Sequence, residues 1–217
     1  MTPTQDAAGR DLDVAGLFAD AWDTWVAGGW AMIPIAITAA VMFGVGASVW
    51  LRLFAKGFTS VPEKVWRLWI AHPSHREGRI GELLDEVADA PSIDASVALF
   101  AGLCKAELAP FARDLKVMKV CVAVGPLLGL LGTVTGMLAT FDALANGSGG
   151  DQTMAAIAKG ISEALITTET GLVVALPGLF FHYQLARKRD RYEAFLAHLE
   201  TVCTQLLYRR LRDGAAA

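Results

Sequence analysis

The chain has 217 residues, of which 54% are hydrophobic, and its mean hydropathy is +0.42. Soluble domains usually contain about 45–50% apolar residues, so the excess indicates membrane-embedded segments. The net charge of −3 gives no sign of nucleic-acid binding. The three widely spaced cysteines indicate small buried side chains instead of a disulfide framework or metal site.

The first 29 residues contain five aspartates but a single basic residue, Arg10. A signal peptide would begin with a basic region, so we interpret residues 1–29 as an outer tail and the apolar segment that follows as an uncleaved anchor. Residues 12–25 have the pattern of an amphipathic helix, which we expect to lie at the outer membrane interface. Three tryptophans would anchor it there: Trp22, Trp25 and Trp30.

Three segments are long and apolar enough to cross a bilayer, which takes about 20 residues: 30–54, 117–141 and 161–185. Seventeen of the nineteen lysines and arginines lie either between 52 and 119 or after 185. Basic residues are enriched on the cytoplasmic side of membrane proteins, so we predict an outside N-terminus and a cytoplasmic C-terminus.

Residues 55–116 are predicted to form a cytoplasmic helical region. Three stretches in this region repeat their apolar residues at helical spacing, separated by Pro73 and Pro91: 61–71, 78–90 and 93–115. No strand pattern is evident.

Residues 142–160 are expected to form a short outer link, and residues 186–217 a helical cytoplasmic tail. In the tail, one stripe of a helix carries Phe195, Leu199, Val202, Leu206 and Leu207. A helix from Ala156 to Arg212 would be about 85 Å long. Because such a helix is hard to bury in one small chain, we expect self-association.

Catalytic, cofactor and metal sites are poorly supported. His72 and His75 in AHPSHREG have no further ligands nearby, which favours a solvated turn. The glycines of GLLGTVTG lack the Lys-Ser/Thr pair of a phosphate-binding loop and lie in an uncharged span. We therefore predict a protein that is not an enzyme and holds neither cofactor nor metal.

The second span carries glycines spaced by four, three and four residues, which places them on one helix face: Gly125, Gly129, Gly132 and Gly136. Each glycine costs about 1 kcal/mol relative to alanine in an exposed helix, so the stripe predicts close packing against a neighbouring helix. Thr133 lies beside this face. Its hydroxyl either bonds to its own helix backbone or provides a polar point in an apolar corridor.

The third span carries two carboxylates. Glu163 is near the outer end, where Lys159 could pair with it, but Glu169 is about 9 Å deeper. The two point about 120° apart, so they do not form a dyad on one helix. An ionisable group at membrane depth is costly unless it faces protein or water, and carboxyls with hydroxyls but no fixed cation suit a proton path better than a substrate site.

PLLGLLGTVTGM (126–137) and GISEALITTETGLVVALPGLFFH (160–182) together resemble the MotA/TolQ/ExbB proton channel family. The resemblance covers roughly residues 115–190. Three spans with the N-terminus outside match the ExbB and TolQ branches, whereas MotA members have four spans. The resemblance implies a pentameric ring whose second and third spans line a pore around a pair of single-span ExbD- or TolR-like partners, each bringing an essential aspartate.

Carried over by position, the resemblance assigns the proton path to Glu163, Thr133 and Thr168, and a helix bend to Pro177. Glu169 departs from the best-known members, and we treat Glu169 and Thr167 as candidate accessory residues. We expect Glu163 to face the shared pore and Glu169 to contact a neighbouring subunit.

The implied function is a motor subunit of the bacterial inner membrane that couples the proton motive force to a TonB-like protein for outer-membrane uptake. A TolQ-like role in envelope integrity is the alternative within the family. A passive membrane scaffold for partner helices is the alternative outside it. The lipid bilayer is an expected partner and nucleic acid is not.

Overall fold

The computed structural model describes residues 14–56, 63–71, 78–88, 92–147 and 149–215. Within these ranges the chain contains helices and no strand, so the all-α prediction is confirmed. The helices are α1 (Val14–Ala27), α2 (Met32–Ala55), α3 (Glu63–Ala71), α4 (Gly78–Ala88), α5 (Ile93–Asn146) and α6 (Asp151–Ala215).

Three of these helices, α2, α5 and α6, are long and apolar enough to cross a membrane, which confirms the number of predicted spans. Their outer faces expose large apolar side chains, for example Phe54 (77% exposed) and Leu176 (66%). A soluble protein would bury such a surface, whereas a bilayer or neighbouring protein can cover it.

The predicted helical extensions are also confirmed, because α5 joins the stretch 93–115 to the second span without a break and α6 continues the third span to Ala215. Helix also occupies most of the predicted outer link, since α5 ends at Asn146 and α6 begins at Asp151. The chain reverses here through glycines with left-handed backbone, Gly149 (φ 81°) and Gly150 (φ 88°). Glycine adopts this conformation without the steric cost that a Cβ would bring.

The described residues group into two compact units. The first comprises α1, the start of α2 up to Ala40, and residues 123–176 of α5 and α6. Here α5 and α6 run antiparallel, with Gly125 facing Ala175 at one end and Gly136 facing Ala164 at the other.

The second unit comprises residues from Val41 to Val122 and from Pro177 onward. Its core is aromatic: the buried Trp66 ring lies edge-on to Phe195 (6.3 Å between centroids), and Tyr192 lies edge-on to Phe111 (6.5 Å). α3 and α4 bury their apolar faces in this unit, as the helical spacing predicts. The buried side chains are Trp66, Ile70, Ile80, Leu83 and Leu84. Pro73 and Pro91 lie outside the described residues.

Charged and aromatic side chains mark the end of the apolar part of α2. Arg52 pairs with Asp114 at 3.2 Å, and Lys56 pairs with Glu107, which also accepts a hydrogen bond from the Tyr192 hydroxyl. Charged groups are costly inside the hydrocarbon region of a bilayer. We therefore expect these ion pairs to lie at its boundary, where α2 leaves the membrane.

Candidate functional site

The site begins with the packing of α5 on α6. The glycine face of the second span lies against α6 of the same chain: a Cβ added at Gly136 would be 2.7 Å from the Gly160 carbonyl oxygen and 2.8 Å from the Ala164 Cβ. At Gly129 an added Cβ would be 3.0 Å from the Thr167 carbonyl oxygen. These distances leave no room for side chains, so the two backbones approach each other directly.

Two threonines of α6 fill this crossing. Thr167 is fully buried, and its side chain occupies the space that a Cβ at Gly132 would take. Its hydroxyl lies within hydrogen-bond distance of two carbonyls of its own helix, Ala164 (3.0 Å) and Glu163 (3.1 Å). The Thr168 hydroxyl lies within hydrogen-bond distance of the Gly129 carbonyl on α5 (3.1 Å) and of the Ala164 carbonyl on its own helix (3.2 Å).

The hydroxyl of Thr133, on α5, donates to the Leu130 carbonyl of its own helix at 2.7 Å, and the residue is half-buried. Of the two roles that the sequence allowed for this hydroxyl, the structure shows the hydrogen bond to its own helix backbone. A hydroxyl has one hydrogen but two lone pairs, so Thr133 and Thr168 can still accept a hydrogen bond while donating one.

Glu163 is half-buried on the packed side of α6, and its carboxyl group lies against the corner between α1 and α2. A Cβ added at Gly29 would be 2.5 Å from the Glu163 Cδ and closer still to a carboxyl oxygen. Among the described residues no cation pairs with this carboxylate, and Lys159 does not reach it. The side chain is therefore held by packing and not by a salt bridge.

Glu169 lies about 120° around α6 from Glu163, on an exposed side of the helix. Its neighbours on that face are Leu165 (65% exposed), Leu172 (47%) and Leu176 (66%). No lysine or arginine occurs in residues 160–186, so α6 supplies no cation at this depth. An ionisable group on an apolar face at membrane depth needs a partner from outside the chain or a watery surrounding.

The structure thus brings Thr167 and Thr168 together with the glycine face and places Glu163 at the α1–α2 corner. It leaves Glu169 on the exposed face. α6 continues through Pro177, which is exposed and lacks the N–H for one helix hydrogen bond. His72 and His75 lie outside the described residues.

Gly29 was missed by sequence reasoning. The signal that could have found it is the Gly28-Gly29 pair between two apolar helices, because paired glycines mark a turn that needs left-handed backbone. No local pattern shows which side chain such a turn would meet.

Residues 84–197, more than half of the chain, match the model of the MotA/TolQ/ExbB proton channel family. The matched range includes the α5–α6 crossing and both glutamates.

Individual relatives agree with this match. The chain is 39% identical over 107 residues to an ExbB-like biopolymer transport protein of Synechocystis sp., covering 47% of this chain and 42% of the relative. It is 36% identical over 91 residues to the biopolymer transport protein ExbB of Salmonella typhimurium, covering 42% of this chain and 35% of the relative. It is 36% identical over 89 residues to the Tol-Pal system protein TolQ of Haemophilus influenzae, covering 41% of this chain and 38% of the relative.

The chain matches about half or less of the length of these relatives. On the strength of the family match over more than half of its residues, the chain belongs to the MotA/TolQ/ExbB proton channel family.

Proposed function

We propose that this protein is the proton-conducting subunit of a bacterial inner-membrane complex that couples the proton motive force to a TonB-type protein for outer-membrane uptake. The observation that carries the proposal is Glu163, a half-buried carboxylate on a membrane-length helix with no paired cation among the described residues. An ionisable side chain at membrane depth that no cation holds is by default a candidate for a proton path.

In this proposal Glu163 takes up and releases protons, and Thr133 and Thr168 hydrate or relay along the path. Both hydroxyls donate to backbone carbonyls in the single chain and so offer their lone pairs to water. The α1–α2 corner leaves Glu163 half-buried, so in a ring of copies its uncovered part would face the shared pore. There the Glu163 carboxylates and the partner's aspartates would repel one another when charged. Some copies are then neutral at any moment and ready to exchange.

The energy available is sufficient for mechanical work. One proton crossing a potential of 100 mV releases about 2.3 kcal/mol, enough to bias a rotation or a small translation of a partner helix.

The proposed assembly is a pentameric ring around a pair of ExbD- or TolR-like single-span helices, with the N-terminus periplasmic and the C-terminus cytoplasmic. The exposed apolar faces of α5 and α6 support self-association, because a bilayer alone does not accommodate Glu169 on such a face. The distribution of lysines and arginines supports the orientation. We assign Glu169 a contact with a neighbouring subunit, and Thr167 an accessory role in packing.

The second candidate is a TolQ-like subunit that acts in envelope integrity, favoured by the 36% identity to a Tol-Pal system protein. Loss of the gene separates the two: an uptake defect supports the TonB-type system, and outer-membrane leakage with normal uptake supports the TolQ-like one. A passive scaffold would keep the glycine face but would have no use for a titrating carboxylate.

The test replaces Glu163 with glutamine, which keeps the volume and hydrogen bonding of the neutral carboxyl but cannot titrate. We expect Glu163→Gln to assemble with its partner and to lose energised uptake and proton flux. Glu169→Gln is the matched control on the same helix, and we expect a milder loss because it lies on the exposed face. Normal function of Glu163→Gln with a dead Glu169→Gln would reverse the two roles, and normal function of both would support the scaffold.

A further inference from the structure

The corner between α1 and α2 is a compact turn. α1 ends at Ala27 and α2 begins at Met32. Backbone hydrogen bonds close the turn: the Gly28 N–H donates to the Thr24 carbonyl (3.1 Å), and the Met32 N–H donates to the Gly29 carbonyl (3.3 Å). Gly29 has a φ of 66°, the left-handed conformation that side-chain-bearing residues rarely adopt.

Both glycines of this corner lie against α6. Gly28 faces Ile166 and Gly29 faces Glu163, and these two residues are three positions apart on α6. A Cβ added at Gly28 would be 3.2 Å from a methyl group of Ile166, and one added at Gly29 would overlap the carboxyl group of Glu163. Residues three apart share a helix face, so the corner covers one face of α6 at the outer end of the third span.

We propose that the α1–α2 corner is the seat of the Glu163 carboxyl group and that Gly29 is a positioning residue for the proton path. The inference rests on the proposed function for its consequence in proton flux, but the seat itself is a property of the folded chain. Among the described residues the carboxyl has no ion pair and no hydrogen-bond partner, so the bare backbone of Gly29 limits where it can lie. A side chain at position 29 would move the carboxyl away from this place.

Glycine at position 29 serves two separable purposes, left-handed backbone and open space. Alanine fails both, since it is strained at this φ and its Cβ overlaps the carboxyl. Asparagine adopts left-handed backbone more readily than alanine does, but its side chain needs the same space. A comparison of the two variants therefore separates a structural role in the turn from a role in positioning the carboxyl.

The experiment uses the full-length protein purified with its single-span partner. Dicyclohexylcarbodiimide, which modifies protonated carboxyls in apolar surroundings, reports on Glu163 by mass spectrometry, with Glu163→Gln as the blank. Proton flux is measured in proteoliposomes. The variants are Gly29→Ala, Gly29→Asn and Glu163→Asp. The control is Gly44→Ala in α2, whose Cβ meets nothing within 4 Å.

We expect Gly29→Ala and Gly29→Asn to change the labelling rate of Glu163 severalfold and to lower proton flux about tenfold or more, because misplacing a reacting group by about 1 Å is costly. Glu163→Asp keeps a titrating group but withdraws it from the seat, so it should lose flux to a similar extent with the corner intact. Gly44→Ala should match the parent in both measurements.

Parent-like flux and labelling in Gly29→Asn, with a defect in Gly29→Ala alone, would reduce Gly29 to a turn residue and overturn the proposal. Parent-like flux in Glu163→Asp would also overturn it, and this variant does not depend on whether the Gly29 variants fold. Full flux in Glu163→Gln would instead overturn the proposed function, while the labelling rates would still decide whether the seat exists.

Discussion

Glu163 and Glu169 are six residues apart on α6 and yet have different surroundings. A spacing of six residues places two side chains about 120° apart around a helix. One carboxylate therefore lies on the packed side of α6 and the other on an exposed side. The Glu163 side chain meets the α1–α2 corner, whereas Glu169 lies among exposed leucines. The roles that we propose, proton exchange for Glu163 and an assembly contact for Glu169, rest on this difference in surroundings.

Cys104 offers a residue-scale test outside the membrane spans. Burial raises the pKa of its thiol above the ordinary value of 9.0, and the carboxylates of Glu200 and Glu193 raise it further. Because the thiolate is the reactive form, a raised pKa leaves less of it at a given pH, and alkylation should be slower in the folded protein than in the unfolded chain.

The measurement follows maleimide labelling against pH in a protein whose other cysteines are replaced by alanine. Glu200→Gln removes one repelling carboxylate, so we expect a lower pKa and severalfold faster labelling at mildly alkaline pH. Burial remains in this variant, so its pKa should stay above that of the unfolded chain. An unchanged rate in Glu200→Gln would mean that Glu200 exerts no electrostatic effect on Cys104.

At the scale of elements, α5 and α6 are paired through small residues that occur on both helices. Gly160 and Gly171 of α6 meet the face that contains Gly125, Gly129 and Gly136: a Cβ at Gly171 would be 2.9 Å from the Gly125 carbonyl oxygen. Lipid provides no hydrophobic driving force for the pairing of two helices. The pair is stabilised instead by close packing of the two backbones and by the contact between the Thr168 hydroxyl and the Gly129 carbonyl.

Two glycines of α5 make a matched pair for testing this packing. Gly136→Ala should lower the free energy of unfolding by about 1–3 kcal/mol, because its Cβ overlaps backbone and Ala164 on α6. Gly102→Ala should raise it by up to about 1 kcal/mol, because Gly102 is an exposed helical glycine with nothing within 4 Å of an added Cβ. Denaturation in detergent, followed by circular dichroism, measures both. Equal effects of the two substitutions would contradict the packing account.

At the scale of the whole molecule, the exposed faces of the membrane helices predict an assembly. A single chain leaves a carboxylate and many large apolar side chains uncovered at once, and lipid can cover only the apolar ones. In the proposed ring, neighbouring copies would cover both kinds of surface.

The orientation and the assembly can be measured together. Reporter enzymes that are active on only one side of the membrane, fused to each terminus, should place the N-terminus in the periplasm and the C-terminus in the cytoplasm. Native mass spectrometry in detergent should give a pentamer, alone or with its partner. Monomers that stay soluble without detergent would exclude a membrane motor, and reversed reporters would exclude the proposed direction of the proton path.

The amino-acid sequence by itself determined the helical class, the three membrane-length helices and the glycine face of the second span. These features depend on the length and period of apolar runs, which are local and survive any tertiary arrangement. The motifs at residues 126–137 and 160–182 were enough to indicate the family that the comparisons then showed.

Only the tertiary structure decided which groups meet. Gly29 and Glu163 are far apart in sequence, and their contact depends on the left-handed backbone of one residue and on how the α1–α2 corner crosses α6. Likewise, the Thr168 hydroxyl reaches the Gly129 carbonyl of α5 as well as the Ala164 carbonyl of its own helix, whereas the Thr133 hydroxyl donates within its own helix. A helical period fixes the face on which a side chain lies, but the helix crossing and its register fix what that face touches.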